Sequence, residues 1–147
     1  GVGQVGDVAV FQSDGGPTVS VMGGLSAMWA RNVGIAACIV DGGVRDISSM
    51  RALDHAVWSA GRTPITGRHR VEAVEINGAV SVGGVQVRPG DLIVADDTGV
   101  CVVPRSSACE VLERCLASEQ AESRVLSMLS EGREVADILA VLPADEW

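Results

Sequence analysis

The sequence predicts an α/β fold, and three observations carry that prediction. Two strand-loop-helix units follow one another between residues 18 and 54, which implies parallel strands with right-handed crossovers. The middle of the chain then alternates short β-type runs with Gly, Pro and Asp turns, the pattern of antiparallel hairpins. From residue 106 the apolar spacing becomes helical.

In chain order, DVAVF at 7–11 reads as the first strand and SDGGP after it as a turn. A β-branched run at 18–22 leads through Gly23 and Gly24 into a helix in which Leu25, Met28, Trp29 and Val33 keep helical spacing. The apolar run 35–40 is a strand, DGGVRD is its loop, 47–54 is a second helix, and AVWSAG is the next strand. Arg88 to Asp91 (RPGD) and the Asp96, Asp97, Thr98, Gly99 stretch read as turns. A helix over 106–129 stops near Gly132, and 135–142 makes a last short helix. These amphipathic helices need an apolar surface to cover, in this chain or in a neighbouring subunit.

Composition bounds the function. With 147 residues, 47% of them hydrophobic and 20% charged, the chain can bury a core as a single domain, 1–147. A net charge of −8, 3% aromatics and no basic run argue against direct nucleic-acid binding. No apolar run approaches the ~20 residues of a membrane span. Cys38, Cys101, Cys109 and Cys115 show neither a CxxC pair nor a His-rich neighbourhood, and read as reduced core thiols of a cytoplasmic protein. The chain lacks an initiator Met and opens almost at once on a strand, so we expect an N-terminal segment to be missing.

GVGQVG at 1–6 matches a dinucleotide fingerprint, but a strand follows it where a helix is required. GGLSA is better placed: two glycines ahead of a helix either leave backbone N–H groups to dock a carboxylate or phosphate at Gly24 to Ala27, or simply permit a tight turn. Arg45 and Asp46 stand at the matching point of the next unit, beyond the carboxyl end of a strand, where open α/β sheets place ligands. Asp46 could be an ordinary N-cap and Arg45 a surface charge. The convergence of both loops on one sheet edge favours a site: an Arg can hold a carboxylate in a fork, and an adjacent Asp can hold a divalent cation. Those parts suit a 2-oxo acid. His55 and His69 lack metal-ligand spacing, and no GxSxG or Cys/His nucleophile pattern occurs.

GGLSA, VDGGVRD, TPITG and VGGVQVRPGDLIVADDTGVCVVP, in this order, resemble the family of the regulator of RNase E activity A and the 4-hydroxy-4-methyl-2-oxoglutarate aldolases. The resemblance implies a β/β/α swivelling-domain-like (phosphohistidine-domain-like) fold, assembled as a homotrimer or a dimer of trimers with sites between subunits. It implies a metal-dependent aldolase and oxaloacetate decarboxylase using Mg2+ or Mn2+, with Arg45 on the carboxylate and keto oxygens of the pyruvyl portion and Asp46 anchoring the metal. Backbone amides around Gly23, Gly24, Leu25, Ser26, Ala27 and Met28 would grip the carboxylate, and Glu122 would be the acid contributed by a neighbouring subunit. Two positions depart from the aldolase pattern, because acidic residues are expected where Gly24 and Ser49 stand. Acidic groups that orient metal-bound water are thereby reduced, at a cost of about 10- to 100-fold in metal affinity or activity. The rival readings are a non-catalytic regulator that binds an RNA-processing enzyme, or one chain of a cleaved or multi-chain assembly. No adenosylmethionine-binding pattern supports the family's older methyltransferase label.

Overall fold

Continuous apolar sequence places β3 (Ala37–Val44) at the centre of a parallel sheet in the computed structural model, which describes residues 3–141. β1 (Val8–Gln12) pairs in parallel with its first half and β2 (Ser20–Met22) with its last residues, while β4 (Ala56–Arg62) runs along the other edge. The crossovers are α1 (Gly24–Asn32), between β2 and β3, and α2 (Ile47–Ala52), between β3 and β4. Both predicted strand-loop-helix units therefore exist. GVGQVG is described only from Gly3 onward; its first two residues lie outside the described residues, as does residue 142 at the end of the predicted last helix.

β3 is longer than its apolar run. Asp41, Gly42 and Gly43 belong to the strand and not to a loop, since crowding rather than turning calls for these glycines. A Cβ on Gly43 would lie 2.8 Å from the carbonyl oxygens of both Pro17 and Val19, and one on Gly42 would lie 2.8 Å from the Ser13 Cβ.

One face of the sheet packs on the two helices through Met22, Ala27, Ala30, Cys38, Val40, Val44 and Met50. α1 meets this core with Gly24, Ala27 and Ala30, small residues three apart that let the helix approach closely. The large residues that mark its helical spacing face outward instead, with Leu25 81% and Trp29 67% exposed.

The other face carries two hairpins. β5 (Val80–Val82) and β6 (Val85–Val87) are joined by Gly83 and Gly84, both at positive φ as a tight hairpin turn requires. Asp41 accepts the Gly83 amide at 3.0 Å and Gln12 the Ser81 amide at 2.7 Å, which fastens this hairpin to β1 and β3. β7 (Leu92–Asp96) and β8 (Gly99–Val103) enclose the predicted Asp96 turn. There the Asp96 carboxylate accepts the Thr98 hydroxyl and the amides of Thr98 and Gly99, which holds it below the usual carboxylate range. RPGD is also a turn, closed by Arg88 N–H to the Asp91 carboxylate at 2.8 Å.

By contacts the chain divides at Pro104 and Arg105. The second unit holds α3 (Ala108–Ser130) and α4 (Val135–Leu139). Gly132, at φ 69°, ends α3 as predicted: its N–H bonds the Leu129 carbonyl and that of Arg133 bonds Met128, a Schellman motif. α3 contains no buried residue, and Leu112, Leu126 and Leu129 are more than half exposed. The cysteine expectation needs correction for the same reason. Cys38 is buried in β3, but Cys101, on a two-stranded sheet, and Cys109 and Cys115, on α3, are exposed. No helix among the described residues is long and apolar enough to cross a membrane.

Candidate active site

Arg45 and Asp46 follow the carboxyl end of β3 directly, where the chain must turn from strand into α2. Asp46 makes that turn in the left-handed conformation, φ 59° and ψ 40°, which Asp and Asn tolerate better than other side chains. It stands at the N-cap position of α2 without capping it. Its Oδ2 instead accepts the Gly24 amide of α1 at 3.1 Å, so the carboxylate bridges from one helix to the N-terminus of the other.

Arg45 is held from three directions. Its amide donates to the Met22 carbonyl at 3.0 Å, its Nη1 donates to Ser20 Oγ at 2.8 Å, and its Nε lies 3.5 Å from Asp46 Oδ2. Ser20 is fully buried and its backbone N–H is bound to the Ile65 carbonyl, so it offers a fixed acceptor. The guanidinium lies over Gly23, where a Cβ would come within 2.7 Å of Cζ. Gly23 is thus required by close approach: only a residue without a side chain leaves room for this arginine. The pair is part-exposed, so its mutual attraction contributes little to stability and its value lies in orientation.

The amides predicted to grip an anion divide into two groups. Gly24 N–H is taken by Asp46, and Ala27 N–H by the Gly23 carbonyl. Those of Leu25 and Ser26 lie in the first turn, whose amides have no carbonyl partner within a helix. They lie beside Arg45 on the same sheet edge, and the helix dipole adds partial positive charge there. Met28 lies a turn further along α1.

Gly24 and Ser49, the two departures from the aldolase pattern, occupy one spot: a Cβ on Gly24 would lie 3.0 Å from the Ser49 Cβ and 3.4 Å from that of Asp46. The two expected acidic groups would therefore have stood together beside Asp46. Among the described residues no three His, Cys, Asp or Glu side chains gather around a common point. One carboxylate still fits Mg2+ in the mode where waters and substrate oxygens complete the shell, and does not make an all-protein cage. Glu122 is exposed on α3, in the other unit.

Arg45 and Asp46 line an open cleft of about 370 Å3 with Ile47, Arg62, Thr63 and Pro64. Arg62 escaped the sequence reading because it closes a strand 17 residues away (45 to 62); the clue would have been that β3 and β4 are parallel neighbours, which brings their carboxyl ends together. Ser20 was equally hidden. A second cleft of similar volume, between the sheet and the hairpins, is walled by Val10, Ile39, Trp58, Val82 and Val102 and is mainly apolar.

The fold also brings Cys38 and His55 together, Sγ to Nε2 3.5 Å, a pairing the sequence pattern did not show. Burial pushes the Cys38 thiol up to about 11, and burial together with the Arg31 charge lowers His55, so at neutral pH both are uncharged core groups and no nucleophile results. His69 is exposed.

A family model described as RraA-like, Aldolase/RraA, matches residues 2–102. The chain belongs to the RraA-like family. A Halalkalibacterium halodurans protein named "Putative 4-hydroxy-4-methyl-2-oxoglutarate aldolase" is 37% identical over 125 residues, 83% of this chain and 59% of that protein. Among solved RraA-like structures, Streptomyces coelicolor RraAS2, described as an unusual member of the RNase ES inhibitor RraA protein family, superposes with a TM-score of 0.71 at 35% identity, covering 82% of this chain and 61% of its own. An uncharacterized protein from Pseudomonas syringae pv. tomato gives a TM-score of 0.89 at 29% identity, covering 95% and 65%. The chain thus spans about three fifths of the length of that Halalkalibacterium halodurans relative and of a Methanocaldococcus jannaschii one, and about a fifth of a longer Legionella pneumophila relative.

Proposed function

We propose that this RraA-like chain forms the active site of a divalent-metal-dependent lyase acting on a small 2-oxo or β-keto acid, by retro-aldol cleavage of 4-hydroxy-4-methyl-2-oxoglutarate-type substrates, by oxaloacetate decarboxylation, or both. The observation that carries the reading is the Arg45 guanidinium, fixed over Gly23 by Ser20 and Asp46 beside the first turn of α1. The 37% identity to a protein named as an aldolase supports the same class.

In this reading the amides of Leu25 and Ser26 take the substrate carboxylate and Arg45 takes its keto oxygen. When oxaloacetate reacts, the bond to the departing carboxyl group breaks, CO2 leaves, and the electron pair moves onto the keto oxygen as pyruvate enolate. Arg45 donates to that oxygen as charge develops. Water then returns a proton to carbon. A Mg2+ or Mn2+ ion held by Asp46 would supply further positive charge beside the same oxygen. The homotrimeric or hexameric assembly, the role of Glu122 as a neighbour's acid, the swivelling-domain-like class and a cytoplasmic location belong to this proposal.

The test is pyruvate release from both substrates with Mg2+, Mn2+ or EDTA, against a metal-only blank. Asp46→Asn is the informative variant, since Asn tolerates the left-handed backbone and removes only the charge. Metal-dependent release that falls by at least about 10-fold in Asp46→Asn is expected, because losing a group that only orients a metal ligand already costs about 10- to 100-fold; release indifferent to EDTA and to the substitution would sink the assignment.

Gly23→Ala separates the site from the fold. The methyl group would displace the end of a flexible side chain and no backbone, so melting should change by no more than about 1 kcal/mol while turnover falls with the displaced guanidinium. A variant as active as wild type would show that Arg45 need not lie where it does.

The similarity to RraAS2 favours a second reading, a regulator that binds an RNA-processing enzyme. Tight binding to an RNase that persists in Asp46→Asn, with no turnover in wild type, would select it.

A further inference from the structure

Resting on the lyase reading, whose substrates carry two carboxylates, we propose that Arg62 is the specificity-determining residue that receives the second of them and so sets the preference over monocarboxylates. Arg62 closes β4 in register with Val44, the residue before Arg45, on the neighbouring strand. Parallel neighbours lie about 5 Å apart. The two arginines therefore leave adjacent strands at the same sheet edge and line the same cleft.

They occupy it differently. Arg45 lies toward α1, over Gly23, held by Ser20 and Asp46. Arg62 stands on the β4 flank, and its side chain makes no hydrogen bond or ion pair among the described residues, although acidic residues outnumber basic ones 19 to 11. Its backbone is fixed all the same, because the next residue, Thr63, donates its amide to the Val44 carbonyl at 3.0 Å and its hydroxyl to the Thr18 carbonyl at 3.1 Å. A short ligand whose 2-oxo acid end lies on Arg45 and the α1 amides would extend across Asp46 toward a rigidly based guanidinium with unused donors. A carboxylate is the group that a guanidinium fork matches.

The assignment is tested by binding, without turnover, using two unreactive 2-hydroxy acids that differ by one carboxylate. Malate and lactate are titrated calorimetrically into wild type, Arg62→Gln and Arg68→Gln with Mg2+ present. Arg68 is an exposed arginine that does not line the cleft, and serves as the control for net charge. Wild type should bind malate about tenfold more tightly than lactate. Arg62→Gln should bring malate to the level of lactate, and Arg68→Gln should keep the wild-type ratio. A malate preference that survives Arg62→Gln, or that Arg68→Gln removes equally, overturns the role of Arg62 while leaving the lyase reading standing. Failure of wild type to bind either acid overturns the 2-oxo acid reading and the Arg62 assignment with it.

Discussion

Arg45→Ala is expected to lower pyruvate release from oxaloacetate by about 10²- to 10³-fold, the usual loss when one donor to a developing oxyanion is removed. Charge alone does not account for the size of the effect. The guanidinium uses Nη1 on Ser20 and Nε on Asp46, which sets its plane and leaves further donors for the substrate oxygen. Arg45→Lys keeps the charge but cannot span both partners, and should recover little of the rate. Removing Arg45 also takes a partner from the buried Ser20 hydroxyl, so the melting temperature should be measured alongside and the comparison repeated in Ser20→Ala. Release within tenfold of wild type, from folded Arg45→Ala and above the metal-only blank, would falsify the assignment of the chemistry to this arginine.

A large effect on stability should come from Gly43→Ala. An added Cβ would meet the carbonyl oxygens of Pro17 and Val19 at 2.8 Å and Thr63 Cγ2 at 2.7 Å. The two carbonyls belong to the backbone and cannot swing aside, so the loss should be about 1–3 kcal/mol. For a chain of this length that lowers the melting temperature by about 2–4 °C per kcal/mol. Gly15→Ala is the control: its new methyl would have only Ser13 Oγ nearby, at 3.8 Å, and should change stability by no more than about 0.5 kcal/mol. Equal melting of the two variants would mean that β3 can shift away from the 17–19 segment.

Much of the local structure is legible in the amino-acid sequence, and what is not legible there has a common cause. Local chemistry was legible: the Asp96 and RPGD turns, the Gly132 helix stop and the Gly23–Gly24 entry to α1 each depend on residues a few positions apart. The Arg45–Asp46 pair was legible because strand, glycines and helix follow one another directly. What stayed hidden depends on contacts between distant segments. Ser20 meets Arg45 across 25 residues, and Arg62 joins the cleft only because β4 is the parallel neighbour of β3. Periodicity also marked α1 without giving its orientation, since close approach to the sheet favoured Ala27 and Ala30 over Leu25 and Trp29. Gly42 and Gly43 resemble loop residues for the reason that they are crowded: close packing and tight turning both call for a missing side chain.

Asp46 joins two parts of the molecule that the chain separates. Its carbonyl accepts the Met50 amide in the first turn of α2, and its carboxylate holds the first amide of α1. A ligand that draws on Oδ2 of that carboxylate therefore competes with a strut between two helices, and loading the site through this atom becomes a mechanical event at the start of α1. At Oδ2 affinity and rigidity share one atom, so an engineer who wants both must direct the ligand to Oδ1.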